Sequence, residues 1–365
     1  MVAPDGTGEK ASAGAERIGL VRFDDAWQMI ESRLCAGVLV AEVASLTIWI
    51  SLKGLSTDWT PGVNAAGLVY RSLLSASALG LAAHLAARRR GVGAHRAAVA
   101  SAVALGLAGG RLWAHAGVGW SSNALNWLQN ASALMLVGGL RGLATRLTLW
   151  LALLGASLAT SRGKHIHIDI AARLLPPALR ARAAVAGWLA ASFVCVVAVV
   201  GFLDYISIAE FRADAVAPCP GDPARTCDAP ASRKAAAVAR VVSSDLFLLG
   251  RQLSLDGRSL PRVLAGRAYD KWMTAAEWNA WLDGADWAAH FGSAADALRM
   301  DPAAPDALRM PQVTVPGTGE EARGLLIREL NFVFPFGLAI IAVKFALRAL
   351  ALAITGRLPD VETPA

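Results

Sequence analysis

Charge is scarce in this sequence. Asp, Glu, Lys and Arg make up 17% of its 365 residues against 55% apolar ones, whereas soluble domains carry about 25% charged residues. The length therefore does not divide into soluble domains. Familiar catalytic apparatus is missing as well. There is no G-x-S-x-G elbow, P-loop or H-E-x-x-H pair, so no motif here proposes a nucleophile, a catalytic zinc or an ATP-driven motor. No basic stripe with interleaved aromatics occurs, which sets nucleic acid aside as a partner. Cysteine is rare, with four residues and no pair at zinc-ligand spacing. The chain opens without the basic, apolar and small-residue regions of a cleaved leader. Its first apolar segment is thus expected to stay as an anchor.

What the sequence does have is long apolar runs. Segments near 34–52, 65–87, 97–113, 143–161, 183–208 and 330–352 approach the ~20 helical residues that cross a ~30 Å hydrocarbon layer. Residues 209–329 hold 14 bases and 16 acids, leaving 21 of the 35 bases against 12 of the 28 acids elsewhere. The positive excess is therefore in the membrane part. It gathers in Arg88, Arg89, Arg90, His95 and Arg96, and again in Arg162, Lys164, Arg173, Arg180 and Arg182, which face a single acid, Asp169. Such loops mark the cytoplasmic side. With both inside, the chain crosses six times and both termini are cytoplasmic. A seventh span at 124–140 would invert one basic loop. That stretch is expected to lie along the outer surface as an interfacial arm helix, bent at Gly138, Gly139 and Gly142. Trp113, Trp120 and Trp127 around it suit an interfacial belt. Residues 1–16 lack periodicity and read as a disordered tail.

The order Arg146, Trp150, Gly155, Arg162, Gly163, His165, Ile166, Asp169, then Leu175-Pro176, resembles the small membrane subunit of tripartite ATP-independent periplasmic (TRAP) transporters. The turn is one residue shorter between its Arg and Gly than the family form, and Ile168 replaces the usual valine. The likeness covers roughly residues 141–208, and Asn331 to Gly337, with Pro335, more weakly echoes the last family helix. The resemblance implies an all-α polytopic membrane bundle that acts as a scaffold. Its partners would be a large membrane subunit, which holds substrate and sodium ions, and a periplasmic binding protein that delivers an organic acid. It implies no cofactor in this chain and a place in the bacterial inner membrane. Arg141, Arg146 and Trp150 would anchor the outer interface, Gly155 would permit close helix approach, and Arg162, Gly163, His165 and Asp169 would shape the inner turn. The expected divisions are a cytoplasmic tail (1–33), an added two-helix hairpin (34–96), a family-like core (97–208), a periplasmic insert (209–329) and a last span with its tail (330–365).

The insert reads as a small helical element, with segments near 232–252 and 274–291. Thr274 and Glu277 form a capping-box pattern ahead of Trp278, Trp281 and Trp287, a stripe expected in a core. DALRM occurs at 296–300 and again at 306–310, too few copies for a solenoid. Cys219 and Cys227 bracket a Pro-, Gly- and Asp-rich loop on the outer side, where an oxidising compartment permits a disulfide. Cys35 and Cys195 read as packing residues. His84 and His115 fall at opposite ends of neighbouring spans, which argues against a shared haem. His165, His167 and Asp169 alternate and leave open an interfacial turn, a metal site or a pH-sensitive contact. Glu42 lies deep in the first span, where a carboxylate must be neutral and hydrogen-bonded or meet a partner. Lys344 and Arg348 are expected to reach the inner interface. The alternative function is a stand-alone sensor or assembly protein whose insert binds a ligand.

Overall fold

The computed structural model describes residues 7–60, 65–89, 91–161, 176–220, 222–302, 308–318 and 321–355. Its long elements are α1 (Thr7–Ser56), α2 (Ala66–Ala86), α3 (Val92–Gly109), α4 (Val118–Asn130), α5 (Gly139–Ser161) and α6 (Pro177–Ala209). They continue as α7 (Ala231–Leu264), the short α8 (Ala275–Asp283) and α9 (Val333–Thr355). A small antiparallel hairpin, β1 (Val216–Cys219) with β2 (Asp222–Asp228), and a short antiparallel strand pair, β3 (Met273–Thr274) with β4 (Leu308–Arg309), accompany them. Six helical stretches are long and apolar enough to cross a membrane: Ala26–Ser56, Ala66–Ala86, Val92–Trp113, Gly139–Thr160, Ala181–Ala209 and Ile327–Ile354. The fold is the all-α polytopic bundle that the apolar runs call for.

Two stretches differ from expectation. The amino-terminal tail is helical from Thr7 onward as part of α1. Its sequence is poor in apolar residues, but adding turns to an existing helix avoids the cost of nucleation. The stretch 124–140 forms no helix long enough to cross a membrane, and it is not the single arm helix expected. α4 ends at Asn130, a 3-10 turn spans Ala133–Val137, and Gly138 and Gly139 take positive φ (85° and 75°) before α5 begins. Ala131, Met135 and Leu136 are wholly buried, the last two among residues of the insert. Their apolarity serves protein packing rather than a membrane surface.

The chain forms two compact units. One comprises Met1–Val43, Thr145–Val241 and Arg328–Ala365; the other comprises Ala44–Ala144 and Val242–Ile327. In the first, α6 packs along α9: Phe202 stacks on Phe334 with ring centres 5.6 Å apart, and Ser192 Oγ donates to the Ala342 carbonyl at 2.9 Å. Pro335 sits in the first turn of α9, where its missing N–H costs no helical bond. Gly337 brings α9 close to α5, since a Cβ there would lie 3.0 Å from Leu153 Cβ.

In the second unit α2 and α3 form a hairpin sealed by small residues. A Cβ on Gly106 would fall 2.4 Å from Ala76 Cα, and one on Gly110 would fall 2.7 Å from Ser72 Cα. This small-residue packing lets two backbones touch without a hydrophobic drive from water. The same unit holds the extramembrane core, where Leu248 and Leu255 of α7 pack with Met273, Trp278, Trp281 and Val313. Thr274 and Glu277 make the expected capping box, with Glu277 N donating to Thr274 Oγ1 at 3.2 Å and Thr274 N to Glu277 Oε2 at 2.9 Å. The Trp stripe is core, as its period implies.

Candidate functional site

The residues singled out by the motif meet along α5. Arg146 Nη1 donates to Asn331 Oδ1 at 3.2 Å, and the Trp150 ring lies 6.3 Å from that of Phe336. The motif on α5 and the weaker echo at the start of α9 are thus one constellation, tying the two helices at a common level. Gly337 makes the close approach there. Gly155 does not: a Cβ added to it meets nothing within 4 Å, so its face of α5 is open among the described residues. Arg141 is exposed in the first turn of α5. Arg162, Gly163, His165 and Asp169 lie outside the described residues, as do His167 and the basic turn they form.

Further along the same helix two acids of α1 meet α5. Thr148 Oγ1 donates to Glu42 Oε1 at 2.7 Å, while Glu42 Oε2 is buried without a hydrogen-bond partner. The second acid, Glu31, is the one the sequence reading passed over. Glu31 Oε1 accepts from Ser157 Oγ at 2.8 Å and from Trp27 Nε1 at 3.1 Å. Its other oxygen pairs with Lys344 Nζ, which also donates to the Ser157 carbonyl at 3.1 Å. Glu31 and Lys344 are 1% and 5% exposed, so Lys344 does not reach for the interface; it turns inward to a carboxylate. A buried charge is tolerable only when paired and hydrogen-bonded. The signal was available: a lysine in the middle of an apolar helix asks for an acid, and Glu31 stands just before the first apolar run.

The second unit carries polar clusters of its own. Arg71, wholly buried in α2, donates to the carbonyls of Leu55, Thr57, Gly67 and Ala116 at 2.7 to 3.2 Å. It satisfies carbonyls that the ends of helices leave orphaned. Nearby, His115 Nδ1 lies 2.7 Å from Asp58 Oδ1. That hydrogen bond, with one from Trp59 N, holds the Asp58 carboxyl below the usual range. His84 meets His95 edge-on, ring centres 4.9 Å apart, rather than approaching His115.

In the extramembrane core, Gln252 Nε2 donates to the carbonyls of Ala131 and Pro311 at 3.0 and 3.3 Å. Its Oε1 accepts from Val313 N at 2.9 Å. Asp256, one turn on, accepts from Ala133 N at 2.8 Å, and its burial raises the carboxyl above its ordinary value. Arg309 lies 4.0 Å over the Trp278 ring, and desolvation lowers its guanidinium. Cys219 and Cys227 are joined by a disulfide across the β1–β2 hairpin, Cα atoms 5.1 Å apart. The loop they bracket is therefore paired strand.

Comparison with known proteins falls on this ground. Residues 133–223 match the family model described as tripartite ATP-independent periplasmic transporters, DctQ component. The matched stretch is similar to the DctQ component of these transporters. No curated protein matches, and no solved structure does. The matched stretch runs from the 3-10 turn through α5, the basic turn and α6 into the β1–β2 hairpin. The DctQ-type segment thus contains Arg141, Arg146, Trp150, Gly155 and the inner turn, whereas Pro335, Gly337 and the acids of α1 lie outside it. With six helices long and apolar enough to cross a membrane, the chain is a multi-pass membrane protein.

Proposed function

We propose that this chain is the scaffold subunit of a TRAP-type secondary transporter for binding-protein-dependent, ion-gradient-driven uptake of an organic acid. It sits in the bacterial inner membrane with both termini and the basic turn at 162–175 in the cytosol. The observation that carries the reading is the DctQ match over α5 and α6, together with the ties of α5 to α1 and α9. α1, α5, α6 and α9 form the subunit's core, while α2, α3 and the residues after the β1–β2 hairpin are additions to it. A large membrane subunit holds substrate and sodium ions; a periplasmic binding protein delivers the substrate. This chain carries no cofactor and fixes its partner in the bilayer through the open face of α5 around Gly155. Small residues on such a face allow the backbones of two helices to come together.

The test is co-purification of the tagged chain with the large subunit encoded beside it. Wild-type chain should retain that subunit in detergent, and Gly155→Leu, whose new side chain meets open space among the described residues, should release it without loss of folded chain. Deleting this chain should abolish uptake of radiolabelled organic acid by cells. If the chain purifies alone and its deletion leaves uptake intact, the transporter role is wrong.

A further inference from the structure

Helix α7 has two faces that obey different rules. One packs the extramembrane core through Leu248, Gln252, Leu255 and Val263. The other is exposed and carries leucines at Leu246, Leu253, Leu260 and Leu264, which are 55%, 54%, 42% and 60% accessible. Gly250 and Gly257 lie between them, and a Cβ added to either meets nothing within 4 Å. Toward the helix start the same stripe continues with exposed Ser232, Ala236, Ala239 and Ser243. From Ser232 to Leu264 the steps alternate strictly between four and three residues without one charge. That is the a/d pattern of a coiled-coil seam, sustained over about 50 Å of helix. The exposed bases Arg233, Arg240 and Arg258 stand beside it, not in it.

A strict a/d stripe is narrower than the apolar face of an ordinary amphipathic helix, and glycine in a helix interior is unfavourable unless something must come close. The seam is also graded: one half carries the leucines, the other only small residues. Laid antiparallel on a second copy about a two-fold at position 248, every leucine meets a small residue. Leu264 falls on Ser232, Leu260 on Ala236, Leu253 on Ser243 and Leu246 on Gly250. A parallel arrangement would instead stack leucine on leucine at one end and leave the small residues facing each other at the other. Large-on-small layers are what let helix axes approach closely. We propose that α7 is a dimerisation helix, which joins two copies of this chain by antiparallel coiled-coil pairing along Ser232–Leu264.

The experiment uses the full chain in its membrane, with Cys35 and Cys195 replaced by alanine. The double variant Ser232→Cys/Leu264→Cys should form a disulfide-linked dimer under mild oxidation, and neither single variant should. The two positions lie about 50 Å apart along one helix, so the bond can form only between copies. Gly250→Leu, added to that pair, sets leucine on leucine and should cut cross-linking at least about tenfold, as overpacking of a tight contact demands. Exchanging the layer with Leu246→Gly/Gly250→Leu should restore it. Unchanged Trp fluorescence would show that the extramembrane core stays folded throughout. Cross-linking by Leu264→Cys alone, or cross-linking indifferent to Gly250→Leu, overturns the proposal. So does a chain that stays monomeric while a fluorophore at position 253 is quenched by brominated lipid, which would assign the face to the bilayer.

Discussion

Glu31 and Lys344 show how single residues govern a membrane bundle. Each would be costly alone at that depth, and together with Ser157 they satisfy one another. Glu31→Ala should therefore destabilise the bundle by about 3 to 5 kcal/mol, because it strands the lysine. Glu31→Met/Lys344→Met should recover most of that loss; unfolding by denaturing detergent measures both. Equal losses in the single and double variants would show that the charges do not act as a pair. In the extramembrane core, Asp256 couples stability to pH. Burial raises its folded value above the ordinary 3.8, so the folded core holds that proton more tightly than the unfolded chain. Its contribution is full below the ordinary value and is lost as pH rises through the raised one. Relative to Asp256→Asn, the wild-type thermal midpoint should fall across that window, as followed by Trp fluorescence.

Among the elements, the α2–α3 hairpin depends on what its sequence omits. Gly106 faces the Ala76 backbone so closely that any side chain must push the helices apart. Gly106→Leu should cost about 1 to 3 kcal/mol by overpacking, read as lost cross-linking between cysteines placed on the two helices. The capping box at Thr274 and the Trp stripe of α8 were legible because capping and helical period are local. The same holds for the six spans, whose length and apolarity are summed over neighbours in sequence. The stretch 124–140 was not legible in that way. Its apolar residues fit a surface helix or a buried turn equally well, and only the insert chain from Val242 to Ile327 decides between them. Gly324 N and Leu326 N donate to the Met135 and Leu136 carbonyls at 2.9 and 2.8 Å.

For the whole molecule the governing quantity is sidedness. The two basic loops predict it through the positive-inside rule. Arg71 gathers carbonyls from residues 55–57 and 116, and Trp120 and Asn123 donate to the carbonyls of Leu264 and Arg267. The chain on either side of the α2–α3 hairpin and the insert residues after α7 therefore meet at one end of that hairpin. A cysteine at Lys164 should be reached by a membrane-impermeant thiol reagent only from the cytosol, and one at Asp270 only from the periplasm. The reverse labelling would invert the topology and remove the insert from the compartment where a binding protein arrives.

The sequence by itself determined the membrane class, the six spans, the family likeness around α5 and the local caps, because each rests on composition or on residues close along the chain. Tertiary structure alone decided which charges meet. Glu31 and Lys344 are separated by most of the chain; a lysine inside an apolar helix asks for an acid, but only the packing of α1 on α5 and α9 says which one. The pentapeptide DALRM makes the same point. In its first copy Leu298 ends a 3-10 turn and its carbonyl receives Trp278 Nε1 at 2.8 Å. In the second, Leu308 and Arg309 form strand β4, with Arg309 over the face of the same tryptophan. Leu298 and Leu308 adopt different backbones because short segments have weak preferences of their own, and the core around Trp278 supplies the stronger ones.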